Sequence, residues 1–269
     1  MLGNDLTAID GTEAGAWIES RLAGEFGAVS QHVPPVFDAY ARIFHRVGDS
    51  KGKNVTWNDV AKCLGRTAHP EMQWHQLVGS SDPDNFAGSK WTGSGPRMGE
   101  LEIEELDRLC RVLFEHTADS ESCFFGLCVI HGWVEDALSS KERRKPQLRL
   151  PLGRDHVIFS GPLSAVDQIG DANVNRPGLL EFGVDSTQAT RQSSSTDHFW
   201  RKAPHLIWPM DRSWLVVSEV DFDSTLVGGT ARLVKALVAD PGLETYEVEP
   251  NTSLTAFSDQ INTVRGVRD

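Results

Sequence analysis

The chain of 269 residues contains no apolar run approaching eighteen residues, so no segment is expected to cross a membrane as a helix. Its start, MLGNDLTAIDGTEAG, has neither the basic stretch nor the apolar core of a secretory signal, and position 2 is not glycine. Export and myristoylation are therefore not expected. Cysteine is scarce: Cys63, Cys110, Cys123 and Cys128 include no CxxC pair. Cys123 and Cys128 fall inside the apolar run CFFGLCVI, which predicts buried, reduced thiols rather than a disulfide or a metal site. A cytoplasmic setting fits these absences. Basic charge is also short, with 26 Lys and Arg against 38 Asp and Glu, for a net charge of −12. Such a surface repels phosphate backbones, so nucleic acid is not an expected partner. The one basic stretch, KERRKPQLR (141–149), reads as a solvated loop.

Several motifs with defined chemistry are missing. There is no GxGxxG, no GKS or GKT and no HExxH, and Thr92 stands where a GxSxG around Ser94 would need glycine. HPEMQWH (69–75) places Glu71 and His75 one helical turn apart, a spacing suited to two metal ligands, but no third ligand is evident nearby. His131 has no partner that spacing identifies. WNDVAKCLGRTAHPEMQWHQL has the flavour of a helix–turn–helix without a basic recognition helix.

What is present divides the chain by texture. Helical spacing of apolar residues predicts helices over 11–26, 34–47, 56–65, 70–79 and 99–117. The second carries Phe37, Tyr40, Ala41 and Phe44 on one face, and the third has a Thr56 cap, Asp59 three residues on and Gly65 as its stop. Residues 80–99 and 188–198 read as Gly- and Ser-rich loops. Short apolar runs bounded by turn residues then predict strands at 123–130, 147–150, 156–161 and 179–184. A hairpin over 205–224 turns at Pro-Met-Asp-Arg, a helix follows at 230–242, and the chain closes with the strand ETYEVE and an amphipathic segment, LTAFSDQINTV. Helices followed by sequential strands imply a single α+β domain: N-terminal helices (about 1–118) packed on a mainly antiparallel sheet (about 119–269), with a C-terminal strand–helix unit.

One stretch has the look of catalysis. EVDFDSTLVGG (219–229) carries Asp-x-Asp-x-Thr, as phosphatases of the haloacid dehalogenase superfamily do at their nucleophile. Context argues against that function. Ser224 replaces the usual glycine, the preceding chain doubles back as a hairpin, and too little chain follows Thr225 for the remaining α/β core. Strand alternation instead puts Leu215, Val217, Glu219, Asp221 and Asp223 on one face, with successive carboxylates about 6.5–7 Å apart. If Ile207 pairs with Trp214, that face runs from apolar at the turn to acidic at Gly228-Gly229. Carboxylates in such a row need water, a basic neighbour or a cation, and Arg232 or Lys235 of the next helix is the nearest basic candidate in sequence. The two glycines read as a tight strand-to-helix turn.

Eight tryptophans against two tyrosines imply a core built on indole rings, with Trp91 and Trp200, both in loops, as the alternative lining of a binding surface. Glu219, Asp221, Asp223, Trp208 and Arg212 form the candidate set for a ligand or cation; no metal is specified, no cofactor is expected and the oligomeric state is left open.

The stretches PPVFDAYARIFH, TWNDVAKCLGRTAHPEMQW, CFFGLCVIHGW, SGPL and WPMDRSWLVVSEVDFDSTLVGG, in that order, resemble an actinobacterial protein family to which no activity is assigned. The resemblance transfers no catalytic residue, and it implies that DFDST belongs to a WPxDRxW…VGG block rather than to a phosphatase. The leading expectation is a non-catalytic binding or interaction protein with a protein partner. The alternative is a metal-assisted hydrolase, phosphoesterase-like, using Glu219, Asp221 and Asp223.

Overall fold

The computed structural model describes residues 2–83, 89–171 and 200–264. The expected strand at 179–184, the whole 188–198 loop and part of the 80–99 loop lie outside the described residues.

Nine strands form one sheet: β1 (Thr7–Ala8), β2 (Ala39–Phe44), β3 (Cys123–Cys128), β4 (Leu148–Leu150), β5 (Arg154–Gly161), β6 (Leu206–Pro209), β7 (Leu215–Val217), β8 (Ser224–Gly229) and β9 (Thr245–Val248). The spatial order is β1–β5–β3–β6–β7–β8–β2–β9, with β4 also paired to β5. Each of these pairings is antiparallel. The helices are α1 (Ala16–Glu19), α2 (Trp57–Leu64), α3 (Trp74–Leu77), α4 (Ile103–Glu115), α5 (Gly132–Ala137) and α6 (Ala231–Ala239). An α+β architecture with a mainly antiparallel sheet is thus present.

The expected helical first third is corrected. Residues 34–47 do not form a helix: Ala39–Phe44 is a strand between β8 and β9, and all six of its residues are buried. Side chains alternate across it. Ala41 and Ile43 enter one core cluster with Leu106, Leu109 and Leu113 of α4 and Leu233 and Leu237 of α6. Tyr40 joins the opposite cluster with Trp17, Val29, Leu206, Trp208 and Leu226. A strand covered on both faces shows no polar alternation, so the apolar spacing alone could not separate it from a helix. The helix expected over 11–26 shrinks to the four residues of α1.

Where local signals agree, the helices form as expected. In α2 the Thr56 hydroxyl accepts from the Asp59 N–H at 3.0 Å while the Asp59 carboxylate accepts from the Thr56 N–H at 3.2 Å, and Gly65 ends the helix at φ 66°. Such a cap is worth about 1 kcal/mol. The free N–H groups of Trp57 and Asn58 donate to the buried Glu244 carboxylate at 2.6 and 2.7 Å. Burial holds that carboxyl at about 7 in spite of these bonds. Trp57, Phe44, Met72, Trp74 and Leu77 close a third cluster at the end of the sheet. Trp91 packs against it and donates to the Gly48 carbonyl at 3.1 Å, a structural use of the ring.

The glycines of VGG are also corrected. Gly228 and Gly229 lie within β8, opposite Tyr40 and Ala39, and the turn into α6 is made by Thr230, whose hydroxyl caps the helix. A Cβ at Gly228 would collide with Phe37 and Val33. Space, rather than backbone freedom, requires glycine there.

Candidate functional site

The hairpin that carries the acids pairs Leu206 with Val217 and Ile207 with Val216, two residues away from the expected register but with the same faces. It ends sooner than expected. After Val217 the Ser218 N–H donates to the His205 carbonyl at 2.8 Å, and the Phe222 N–H donates to the Glu219 carbonyl at 2.9 Å, closing a turn before β8 begins. Glu219, Asp221 and Asp223 therefore do not share a strand face: pleat alternation stops where the turn starts. Gly99 buttresses the turn, donating its N–H to the Phe222 carbonyl at 2.8 Å. Its φ is 79°, and a Cβ would press on the Val220 backbone, so both conformation and space demand glycine.

The acids meet arginines, though not those of the next helix, where Arg232 and Lys235 are exposed. Arg154, the first residue of β5, donates Nε to Glu219 Oε1 at 2.7 Å and its terminal nitrogen to Asp221. Asp223 goes elsewhere. It accepts from Arg42 at 3.2 Å, and Arg42 also donates to Ser224 Oγ at 2.9 Å and to the Pro70 and Met72 carbonyls at 3.1 and 3.3 Å, with its guanidinium 4.3 Å over the Phe44 ring. At 2% exposure, such a cation persists because its donors are matched by acceptors. The three carboxylates do not converge on one point.

Beside Arg42, His45 is sealed in. Its Nδ1–H donates to the Arg97 carbonyl at 2.7 Å, so Nε2 is the acceptor facing the Thr225 hydroxyl at 2.9 Å. Thr225 in turn accepts from Ser218 Oγ at 2.7 Å. Burial lowers His45 to about 4, opposed by the bond to the Arg97 carbonyl.

The Arg154 end of the turn is open. Here a cleft of about 250 Å³ lies between the 22–32 segment, Leu150-Pro151 and Val217–Glu219. Leu22, Phe26, Leu150, Pro151 and Val217 give it apolar walls, and Phe26 stands 76% exposed at its edge. Three polar side chains line it, of which Gln31 is tied through Oε1 to the Gly27 N–H at 2.8 Å. The His32 ring packs edge-on against Phe222 at 4.7 Å and is lowered to about 4 by burial and by the charge of Arg154, so it is neutral at pH 7. Neither of its nitrogens has a hydrogen-bond partner among the described residues. Glu219 Oε1 accepts from Arg154, while Oε2 has no such partner among the described residues. Sequence reasoning misses this site because Leu22 and Phe26 come from irregular chain inside the expected 11–26 helix and His32 from the stretch between the two expected helices.

The other candidates fall apart spatially. Trp208 is fully buried, stacked on Phe124 at 5.4 Å beneath the sheet surface. Arg212 sits at the tip of the β6–β7 hairpin with φ 57°, its guanidinium 5.5 Å from the Trp17 ring. His131 does have a partner: the Cys128 N–H donates to His205 Nδ1 at 3.1 Å, so His205 donates Nε2–H to His131 Nδ1 at 2.8 Å. Among the described residues no group of three or more His, Cys, Asp or Glu is placed to hold a metal ion, and no helix is long and apolar enough to cross a membrane. Compared with protein-family models, curated proteins and solved structures, the chain matches none.

Proposed function

We propose that this chain is a non-catalytic binding protein that holds a protein partner at the cleft beside Arg154. The observation that carries the reading is the pairing of apolar walls with unspent hydrogen-bonding capacity: a neutral imidazole and a carboxylate with one unspent oxygen line a concave surface, with no further hydrogen-bond partner among the described residues. Binding sites combine these features, with apolar area for affinity and a few polar atoms for orientation. The carboxylates that would serve a hydrolase are committed to two separate arginines, which favours binding over catalysis. Kinship with the actinobacterial family and a cytoplasmic setting belong to the same proposal; four free thiols suit the latter.

Filling the cleft tests it. Amphipathic fragments of side-chain size, an apolar stem with one hydrogen-bonding end, followed by ligand-detected NMR, are expected to bind the native chain and not a Leu22→Trp variant of unchanged melting temperature. Equal binding to both proteins would overturn the assignment.

A further inference from the structure

The cleft's size and charge restrict what enters it. At about 250 Å³ it falls below the roughly 300–1,000 Å³ of pockets that enclose a drug-sized ligand. It therefore accepts a group of side-chain dimensions rather than a whole metabolite. An anion finds no free cation there, because Arg154 serves both Glu219 and Asp221 and His32 is neutral. A purely apolar group would strip water from the free oxygen of Glu219 and return no hydrogen bond, a cost that buried polar atoms seldom bear. A cation meets the opposite situation. Two carboxylates share one guanidinium, so the cluster keeps an excess negative charge, within a chain of net charge −12.

The geometry also chooses between the two common cations. A guanidinium binds a carboxylate best as a fork, using both oxygens. Arg154 already occupies Oε1 of Glu219, leaving a single acceptor. A single acceptor suits a point-like ammonium on a flexible stem.

We infer that the cleft receives a lysine side chain from a partner protein, with its ammonium on Glu219 Oε2 and its methylene stem against Leu22, Leu150 and Val217. This rests on the binding role proposed above and names what is bound. A lysine would enter with its stem buried and its charge met at the mouth, the usual disposition of that side chain.

Hexylamine, hexanol and hexanoate, titrated by ligand-detected NMR, serve as probes, beside the Nα-acetyl amides of lysine, arginine and norleucine. Hexylamine should bind about tenfold more tightly than the other two, and acetyl-lysine amide more tightly than its arginine and norleucine counterparts. Glu219→Gln should erase the preference for the amine and leave hexanol binding unchanged. Equal binding of all three hexyl probes to the native protein would overturn the charge assignment while leaving a binding cleft in place. Hexylamine binding without acetyl-lysine amide binding would assign the cleft to free amines and overturn the lysine. Should no probe bind, the binding role itself falls. The contrast among probes on the native chain decides the matter even if Glu219→Gln fails to fold.

Discussion

The 219–222 turn separates two sites built from the same residue types. On one side Arg42 and His45 lie in the interior with Asp223 at their edge; on the other, His32 and Glu219 line the cleft and Arg154 pairs with Glu219 beside it. Composition does not distinguish them. Saturation does. Arg42 makes four hydrogen bonds, and both nitrogens of His45 are engaged. At the cleft, His32 makes none among the described residues and Glu219 keeps an oxygen in reserve. A polar cluster whose bonds are all internal holds a fold together; one with bonds left over can hold something else.

The largest test of this contrast is Arg42→Met. Removing a buried cation leaves Asp223, Ser224 and two backbone carbonyls without their donor, and the expected loss is about 3–5 kcal/mol in urea unfolding. A loss under about 1 kcal/mol would mean that the interior cluster is not structural. A smaller effect separates the histidines. At pH 8, His45→Leu should cost about 1–3 kcal/mol by orphaning the Arg97 carbonyl and the Thr225 hydroxyl, whereas His32→Leu should stay within about 0.5 kcal/mol of the native value. The pH dependence is instead common to both histidines, since each is lowered to about 4. His45 titrates near about 6.5 when unfolded and at about 4 when folded. The unfolded state therefore binds more protons between those values, and stability falls as pH drops from 6.5 towards 4. His45→Leu lacks this contribution, so its stability should decline less steeply over that window. The smallest effect is Asp221→Asn. That carboxylate is 73% exposed, and loss of its pairing with Arg154 should cost about 0–1 kcal/mol, measured by thermal unfolding with Glu219 still in place.

Much of the framework was legible where neighbouring residues decide it. Thr56, Asp59 and Gly65 bracket α2, and Leu106, Leu109 and Leu113 mark the buried face of α4, while Phe114 beside them is exposed. The parity of the β6–β7 hairpin was readable from alternation, but its register was not, because several apolar pairings satisfy the same pattern. Ala39–Phe44 was misread for want of long-range information: its neighbours are supplied by residues 224–229 and 245–248. A charged Arg42 inside an apolar run was the available hint, since a buried cation demands an acid, and that acid is Asp223. The Arg154 pairs were invisible for the same reason. No local pattern links residue 154 to 219, and the turn that brings them together ends the alternation on which the strand reading depended.

The position of β2 also sets the order of events during synthesis. This strand leaves the ribosome early, yet both of its edges wait for residues 224–248 to be made. Until then a largely apolar strand with two open edges, its Arg42 charge still unmatched, has nothing to pair with, a state that favours association with other chains. Such sequence-distant contacts also slow the search for the native arrangement. Cooperative closure of the sheet is therefore a late event, completed when β8 and β9 dock on either side of a strand made well before them.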